Sequence, residues 1–148
     1  MMIQTDSRIQ SDLVSKILVF QGEEGNPLLA PRGVSIHGDN LLVTDTGQNR
    51  VFIRNTIPET PIQSPDITQG QSDASGVVRN SGGKVTASTL LYPSGIWTDG
   101  ENLIVADAWN HRVLIWLSFP EKNGQAADVV VGQPNFTSNE PNVEGIAS

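Results

Sequence analysis

The chain alternates short apolar runs with turn residues at a spacing too tight for α-helices. Gly33-Val34-Ser35-Ile36 leads into His37-Gly38-Asp39-Asn40, then Leu41-Leu42-Val43-Thr44, then Val51-Phe52-Ile53-Arg54. Period-two runs of four residues bounded by Gly, Asn and Asp predict β-strands. Glycine and asparagine tolerate positive φ, so the segment from His37 to Asn40 predicts a tight hairpin turn. Leu41 to Thr44 is uniformly apolar or small, which predicts a strand buried on both faces. A proline-containing connection then leads to a fourth strand, Asp66 to Gln69, the weakest of the set by composition.

The whole pattern returns 62 residues later. Leu29, Pro31 and Gly33 recur as Leu91, Pro93 and Gly95; Gly38-Asp39-Asn40-Leu41-Leu42-Val43-Thr44-Asp45 recurs as Gly100-Glu101-Asn102-Leu103-Ile104-Val105-Ala106-Asp107. Arg50 maps to Arg112, Pro58 to Pro120, Asp66 to Asp128, and Gly70-Gln71 to Gly132-Gln133. A fixed period of this kind marks an array in which one supersecondary unit stacks against its copies. The second copy therefore predicts strands at Gly95 to Thr98, Leu103 to Ala106, Val113 to Trp116 and Asp128 to Val131. Pro31 and Pro93 introduce the first strand of each unit, where a missing backbone donor is tolerated.

Three or four short antiparallel strands per unit, repeated, describe blades of a β-propeller, so the expected fold is all-β. Residues 1–14 read as an N-terminal tail and 15–28 as the closing strand of a preceding blade, centred on Ser15 to Gly22, with its linker. Residues 29–90 form the first blade and its interblade loop, 91–133 the second blade, and 134–148 the start of the next loop. Extrapolating the period places the next proline seven residues past Ser148. Propellers close with four to eight blades, and this chain carries two, plus partial units at both ends. It reads as an incomplete ring: a piece of a longer propeller, favoured by the lack of visible capping units, or a unit that completes a ring with copies of itself.

The motif Pro-x-Gly-[Val/Ile], a Gly-x-Asn turn, Leu-[Leu/Ile]-Val-x-Asp and then Arg-Val resembles the NHL repeat. Val105-Ala106-Asp107-Ala108-Trp109-Asn110-His111-Arg112-Val113 is nearly the full motif, whereas the first copy departs at Gln48 and Asn49, where Asn and His are typical. Gly132-Gln133-Pro134-Asn135-Phe136-Thr137 resembles the spacer between blades of long bacterial NHL proteins. The resemblance, over about Leu29 to Asn142, implies a propeller that presents loops at the blade tips to a ligand or partner. Some NHL-like propellers are metal-dependent lyases of peptide amidation or gluconolactonases, and some bind RNA, so those remain the alternatives it implies.

Composition narrows these readings. A formal net charge of −7, from 16 acidic and 9 basic residues, disfavours nucleic acid as a partner, because phosphate neutralisation needs a basic surface. No apolar run approaches the roughly 20 residues needed to span a bilayer, and Leu13 to Phe20 is interrupted by Ser15 and Lys16, so neither a membrane span nor a secretory signal is read. Zero cysteines suits a reducing or an oxidising compartment equally, and localisation stays open.

Candidate chemistry is sparse. His37 and His111 are the only histidines and fall at different phases of the repeat; without cysteine they cannot build a zinc site of the usual kind within one chain. No cofactor is expected, although calcium through the oxygens of Asp39, Asp45, Asp99, Glu101 and Asp107 is left open. There is no Gly-x-Ser-x-Gly elbow and no phosphate-binding glycine loop, so no catalytic residue is assigned. Asn135-Phe136-Thr137 matches a glycosylation acceptor and is read as coincidence. Asp45 and Asp107, each five residues before Arg50 and Arg112, are expected to fix the hairpins by turn hydrogen bonds and ion pairs. Together with Pro31, Gly33, Pro93 and Gly95 they form the structural signature. The binding candidates are the tip residues Gly47, Gln48 and Asn49 in the first copy and Trp109, Asn110 and His111 in the second. Trp97 and Trp116 lie on predicted strands and are expected to fill gaps between blades, while Trp109 sits in a turn, where an exposed aromatic suits a hot spot. The expected function is a non-enzymatic scaffold for a protein, or for carbohydrate.

Overall fold

The computed structural model describes residues 21–60 and 62–142. Among these the regular structure is β, with two short 3₁₀ turns and no α-helix. After a small hairpin of β1 (Gly22–Glu23) and β2 (Asn26–Pro27) come two antiparallel sheets. The first is ordered β3 (Gly33–His37), β4 (Asn40–Asp45), β5 (Arg50–Arg54), β6 (Ile67–Gln69). The second is ordered β7 (Gly95–Thr98), β8 (Leu103–Asp107), β9 (Arg112–Trp116), β10 (Val129–Val131). The tail at 1–14, residues 15–20 of the expected closing strand and residues 143–148 lie outside the described residues; Gly22 pairs with Pro27 in the small hairpin.

The 62-residue offset carries through to the register. Val34 opposite Val43 recurs as Ile96 opposite Val105, and Leu42 opposite Ile53 recurs as Ile104 opposite Ile115. It also carries through to the strained backbone positions. Ala30 and Tyr92 (φ 51° and 48°), Asn49 and His111 (58° and 53°), and Asn80 and Asn142 (46° and 54°) are left-handed at matching places. Non-glycine residues adopt this region at a cost, so its recurrence shows that tertiary contacts hold both copies in one conformation.

Strand alternation gives each sheet two faces. The face of the first sheet bearing Leu42, Val51, Ile53 and Ile67 packs on the face of the second bearing Leu103, Val105, Leu114 and Trp116, and these residues form one buried core with Leu90. At about 25 cal/mol per Å² of apolar surface removed from water, this shared layer is the main stabiliser of the stack. Polar ties cross it as well. Thr46 Oγ1 donates to the Pro93 carbonyl at 2.6 Å, and the Tyr92 amide donates to Asn49 Oδ1 at 3.1 Å. The backbones approach closely at Gly33, where a Cβ would lie 2.7 Å from the Ser94 carbonyl oxygen.

Three expectations need correction. β4 is buried along nearly its whole length, but β8 alternates buried and half-buried residues, because only one of its faces is covered. Trp116 fills the core between the two sheets as expected, and Trp97 does not share that gap: it lies on the outer face of the second sheet and is 50% exposed. The connection from Gln71 to Leu90 is also more than a loop. It contains a tight turn, Arg79–Gly82, with Asn80 and Ser81 left-handed, is tied to the residue just past β6 by a parallel bridge between Gly70 and Thr89, and ends on the buried Leu90.

Candidate functional site

The site region is the end of the stack where β4 and β8 run into 3₁₀ turns, Thr46–Gln48 and Ala108–Asn110. Each turn hangs on the aspartate that precedes it. Asp45 accepts the Leu29 amide at 2.6 Å and Arg50 Nε at 2.7 Å; Asp107 accepts the Leu91 amide and Arg112 Nε, both at 2.7 Å. Both ion pairs are fully buried. Burial is the largest influence on these carboxyls and pushes each pKa above the ordinary 3.8, while the amide bonds and the guanidinium pull the other way. Desolvation offsets most of the attraction within pairs of this kind, so the intact pair contributes little net stability, but removing one partner strands a buried charge and is strongly destabilising.

The arginines reach further along the repeat. Arg50 Nη1 donates to the Ala74 carbonyl at 2.5 Å and Arg112 Nη1 to the Phe136 carbonyl at 2.6 Å, again 62 residues apart. Those carbonyls are presented by matching side-chain turns. Asp73 Oδ1 accepts the Ser75 amide and hydroxyl, and Asn135 Oδ1 accepts the Thr137 amide and hydroxyl. The apparent glycosylation triplet is thus the second copy of a structural turn, a signal already present in the alignment of Asp73 and Ser75 with Asn135 and Thr137. Gln71 and Gln133 close the loops by donating to the Asn49 and His111 carbonyls at 3.1 and 3.0 Å.

The binding candidates separate accordingly. Gln48 is buried and donates to the Pro27 carbonyl, and Asn49 is buried and donates to the Val77 carbonyl at 3.0 Å. Gly47 is covered, since a Cβ there would lie 2.6 Å from the Leu29 carbonyl oxygen. Asn110 is buried and donates to Asp107 Oδ2 and Asn80 Oδ1, both at 2.8 Å. Only Trp109 and His111 present exposed side chains, and Trp109 is 62% exposed.

Trp109 does not stand alone. Its ring lies 5.1 Å from that of Tyr92 at a tilt of 54°, and the Arg79 guanidinium covers Tyr92 at 5.3 Å while donating to its hydroxyl at 3.0 Å. Tyr92 occupies the left-handed position filled by Ala30 in the first copy, which brings its ring beside the turn. Sequence reading missed both Arg79 and Tyr92: one lies in the connection and the other in the strand approach, 13 residues apart. Among the described residues no group of three or more His, Cys, Asp or Glu side chains is arranged to hold a metal, and no helix is long and apolar enough to cross a membrane. No protein-family model matches the chain, and no curated protein matches it.

Proposed function

We propose that the two sheets are consecutive blades of an NHL-type β-propeller and that the chain serves as a protein-interaction scaffold, docking its partner on the tip surface around Trp109. The observation that carries this reading is the Arg79, Tyr92 and Trp109 stack. Arg, Tyr and Trp are the residue types enriched at binding hot spots, and here exposed Arg79 and Trp109 flank a half-buried Tyr92 on a fixed turn. Rigidity matters because a side chain already held in place loses less entropy on binding. The support is the buried Asp107–Arg112 pair beneath the turn. In the first copy Gly47 and Ala30 stand at the corresponding positions, so the binding surface belongs to the second copy.

The test is affinity capture with the whole chain and with Trp109→Ala, followed by titration of the captured protein once purified. Trp109→Ala is expected to weaken binding by about 2 kcal/mol, roughly 30-fold. Equal affinity for both forms would remove the stack from the interface, and retention of glycans but no protein would replace the reading with carbohydrate binding.

A further inference from the structure

One edge of the first sheet is held by a loop of the second. β6 is the last strand of its sheet, and Thr68 stands opposite Phe52 with its own amide and carbonyl bonded away from β5. A strand edge with free backbone groups is open to unwanted pairing. Here two consecutive residues of the loop between β9 and β10 occupy it. The Thr68 amide donates to Asn123 Oδ1 at 2.8 Å, and the Gly124 amide donates to the Thr68 carbonyl at 2.9 Å. Gln69 Nε2 adds a third bond, to the Lys122 carbonyl at 2.8 Å. The loop is in turn fixed to its own sheet, because the buried Trp116 donates from Nε1 to the Gln125 carbonyl at 2.9 Å. For the loop to leave Thr68, the two sheets must part at this edge.

The residues of this clamp carry a reactive chemistry of their own. Asn123-Gly124 is the single Asn-Gly pair of the chain, and the first copy has Pro61 and Ile62 at the corresponding places. Gly124 is left-handed (φ 57°), and a Cβ there would lie 3.1 Å from the Gln71 carbonyl oxygen, so the close approach favours glycine. In an Asn-Gly pair no side chain hinders the glycine nitrogen from attacking the asparagine Cγ. The N–Cγ bond forms, the Cγ–Nδ2 bond breaks, and the amide group leaves as ammonia with the proton given up by the glycine nitrogen. Water then opens the cyclic imide to aspartate or to isoaspartate, in which the main chain runs through Cβ and Cγ. Attack requires the nitrogen to be free of other partners and aimed at Cγ. In the closed clamp both the Gly124 amide and Asn123 Oδ1 are engaged by Thr68.

We infer that Asn123 is a deamidation site latched by the junction between the sheets: unreactive while the loop clasps Thr68, and reactive when the sheets part at this edge. One product then makes the opening permanent. Isoaspartate adds one carbon to the main chain between residue 123 and Gly124 and moves the free carboxylate to Cα, so the acceptor and the Gly124 amide no longer bracket Thr68. Aspartate keeps an oxygen at the place of Oδ1 and re-forms the clamp. Time spent open is thus recorded as a lasting loss of cover on the β6 edge. The latch stands on the junction alone, independently of any partner at the tip around Trp109.

Peptide mapping by mass spectrometry follows Asn123 in the whole chain at mildly alkaline pH, folded in buffer and unfolded in urea. Conversion in the folded chain is expected to be at least about tenfold slower, since only the open fraction reacts. Gln69→Leu removes the donor to Lys122, and Gly33→Ala crowds the other edge of the same junction at the Ser94 carbonyl. Each is expected to speed conversion several-fold, and retained cooperativity of thermal unfolding shows that the variant is folded. Hydrogen exchange on the isoaspartate form, purified from aged protein, is expected to show the Thr68 amide unprotected while the amides of β4 and β5 stay protected. Equal rates in the folded and unfolded chain overturn the inference, as does a Thr68 amide that remains protected in the isoaspartate form. A folded Gln69→Leu or Gly33→Ala that converts no faster than the wild type overturns the coupling to the junction.

Discussion

In the first sheet β4 is shielded on both sides, whereas in the second β8 is shielded on one, although the two strands share a register and end in the same Asp–Arg pair. The hydrogen-bond wiring is copied: the aspartate that holds the turn, the arginine that reaches the following loop, and the glutamine that closes it. The surfaces are not copied. Where the first copy places Ala30, Ser35, Gly47 and Arg54, the second places Tyr92, Trp97, Trp109 and Trp116. Residues that each unit needs in order to fold are duplicated, and residues that meet something outside the unit diverge. The divergent set then splits by environment. Trp116 is core, Trp97 faces outward on a sheet, and Trp109 with Tyr92 stands at the tip.

The strongest challenge to the idea of copied wiring is to cut it in each sheet separately. Arg50→Ala and Arg112→Ala each strand a buried carboxylate, and each is expected to cost about 3–5 kcal/mol in urea unfolding. A loss confined to one of the two would show that the wiring is copied in geometry but not in energy. Gly33→Ala against Gly95→Ala tests the contrast in surroundings. The first forces a Cβ against the Ser94 carbonyl and is expected to destabilise by about 1–3 kcal/mol, while the second, whose Cβ would make an ordinary contact with Ala106 Cβ at 3.4 Å, leaves the melting temperature nearly unchanged.

Smaller effects sharpen the same contrast. Thr46→Val removes the donor to the Pro93 carbonyl and is expected to cost about 1 kcal/mol, whereas Ala108→Thr in the second copy adds no such tie and stays neutral. The hairpin turns also differ, since Asp99 stands where the first copy has His37. Asp99 accepts the Asn102 and Glu101 amides and the Asn102 side chain, and these bonds lower its pKa to about 2. Because the folded value lies below the ordinary 3.8, its contribution is present above that pH and is lost as pH falls through about 2. Following the Asp99 carboxyl and the Glu101 and Asn102 amides by NMR checks this. A midpoint near the ordinary value would show that the turn bonds do not persist in solution.

Much of the architecture was legible because strand patterning and turn chemistry are local. Period-two apolar runs, Gly-x-Asn turns and the 62-residue offset located all eight strands of the two sheets, including β6, whose Ile67-Thr68-Gln69 is a poor strand in isolation and is recruited by pairing with β5. The role of Asp45 and Asp107 was legible too, since a residue repeated at each turn points to the turn itself. The tip was legible only in part. Gln48, Asn49 and Asn110 read as free polar residues, and sequence spacing could not show that their amides serve backbone carbonyls and buried side chains brought from 21 to 30 residues away.

By itself the sequence determined the β-class, the repeat unit, its turns and the residues each copy requires, because those depend on neighbours within a few positions and on a period that can be counted. Only the tertiary structure decided which face of each sheet meets the other, that Trp97 is outside while Trp116 is inside, and that exposed Arg79 and Trp109 converge on the half-buried Tyr92. Those outcomes depend on how two similar sheets are placed against each other, and identical strand patterns leave that placement undetermined until the sheets pack.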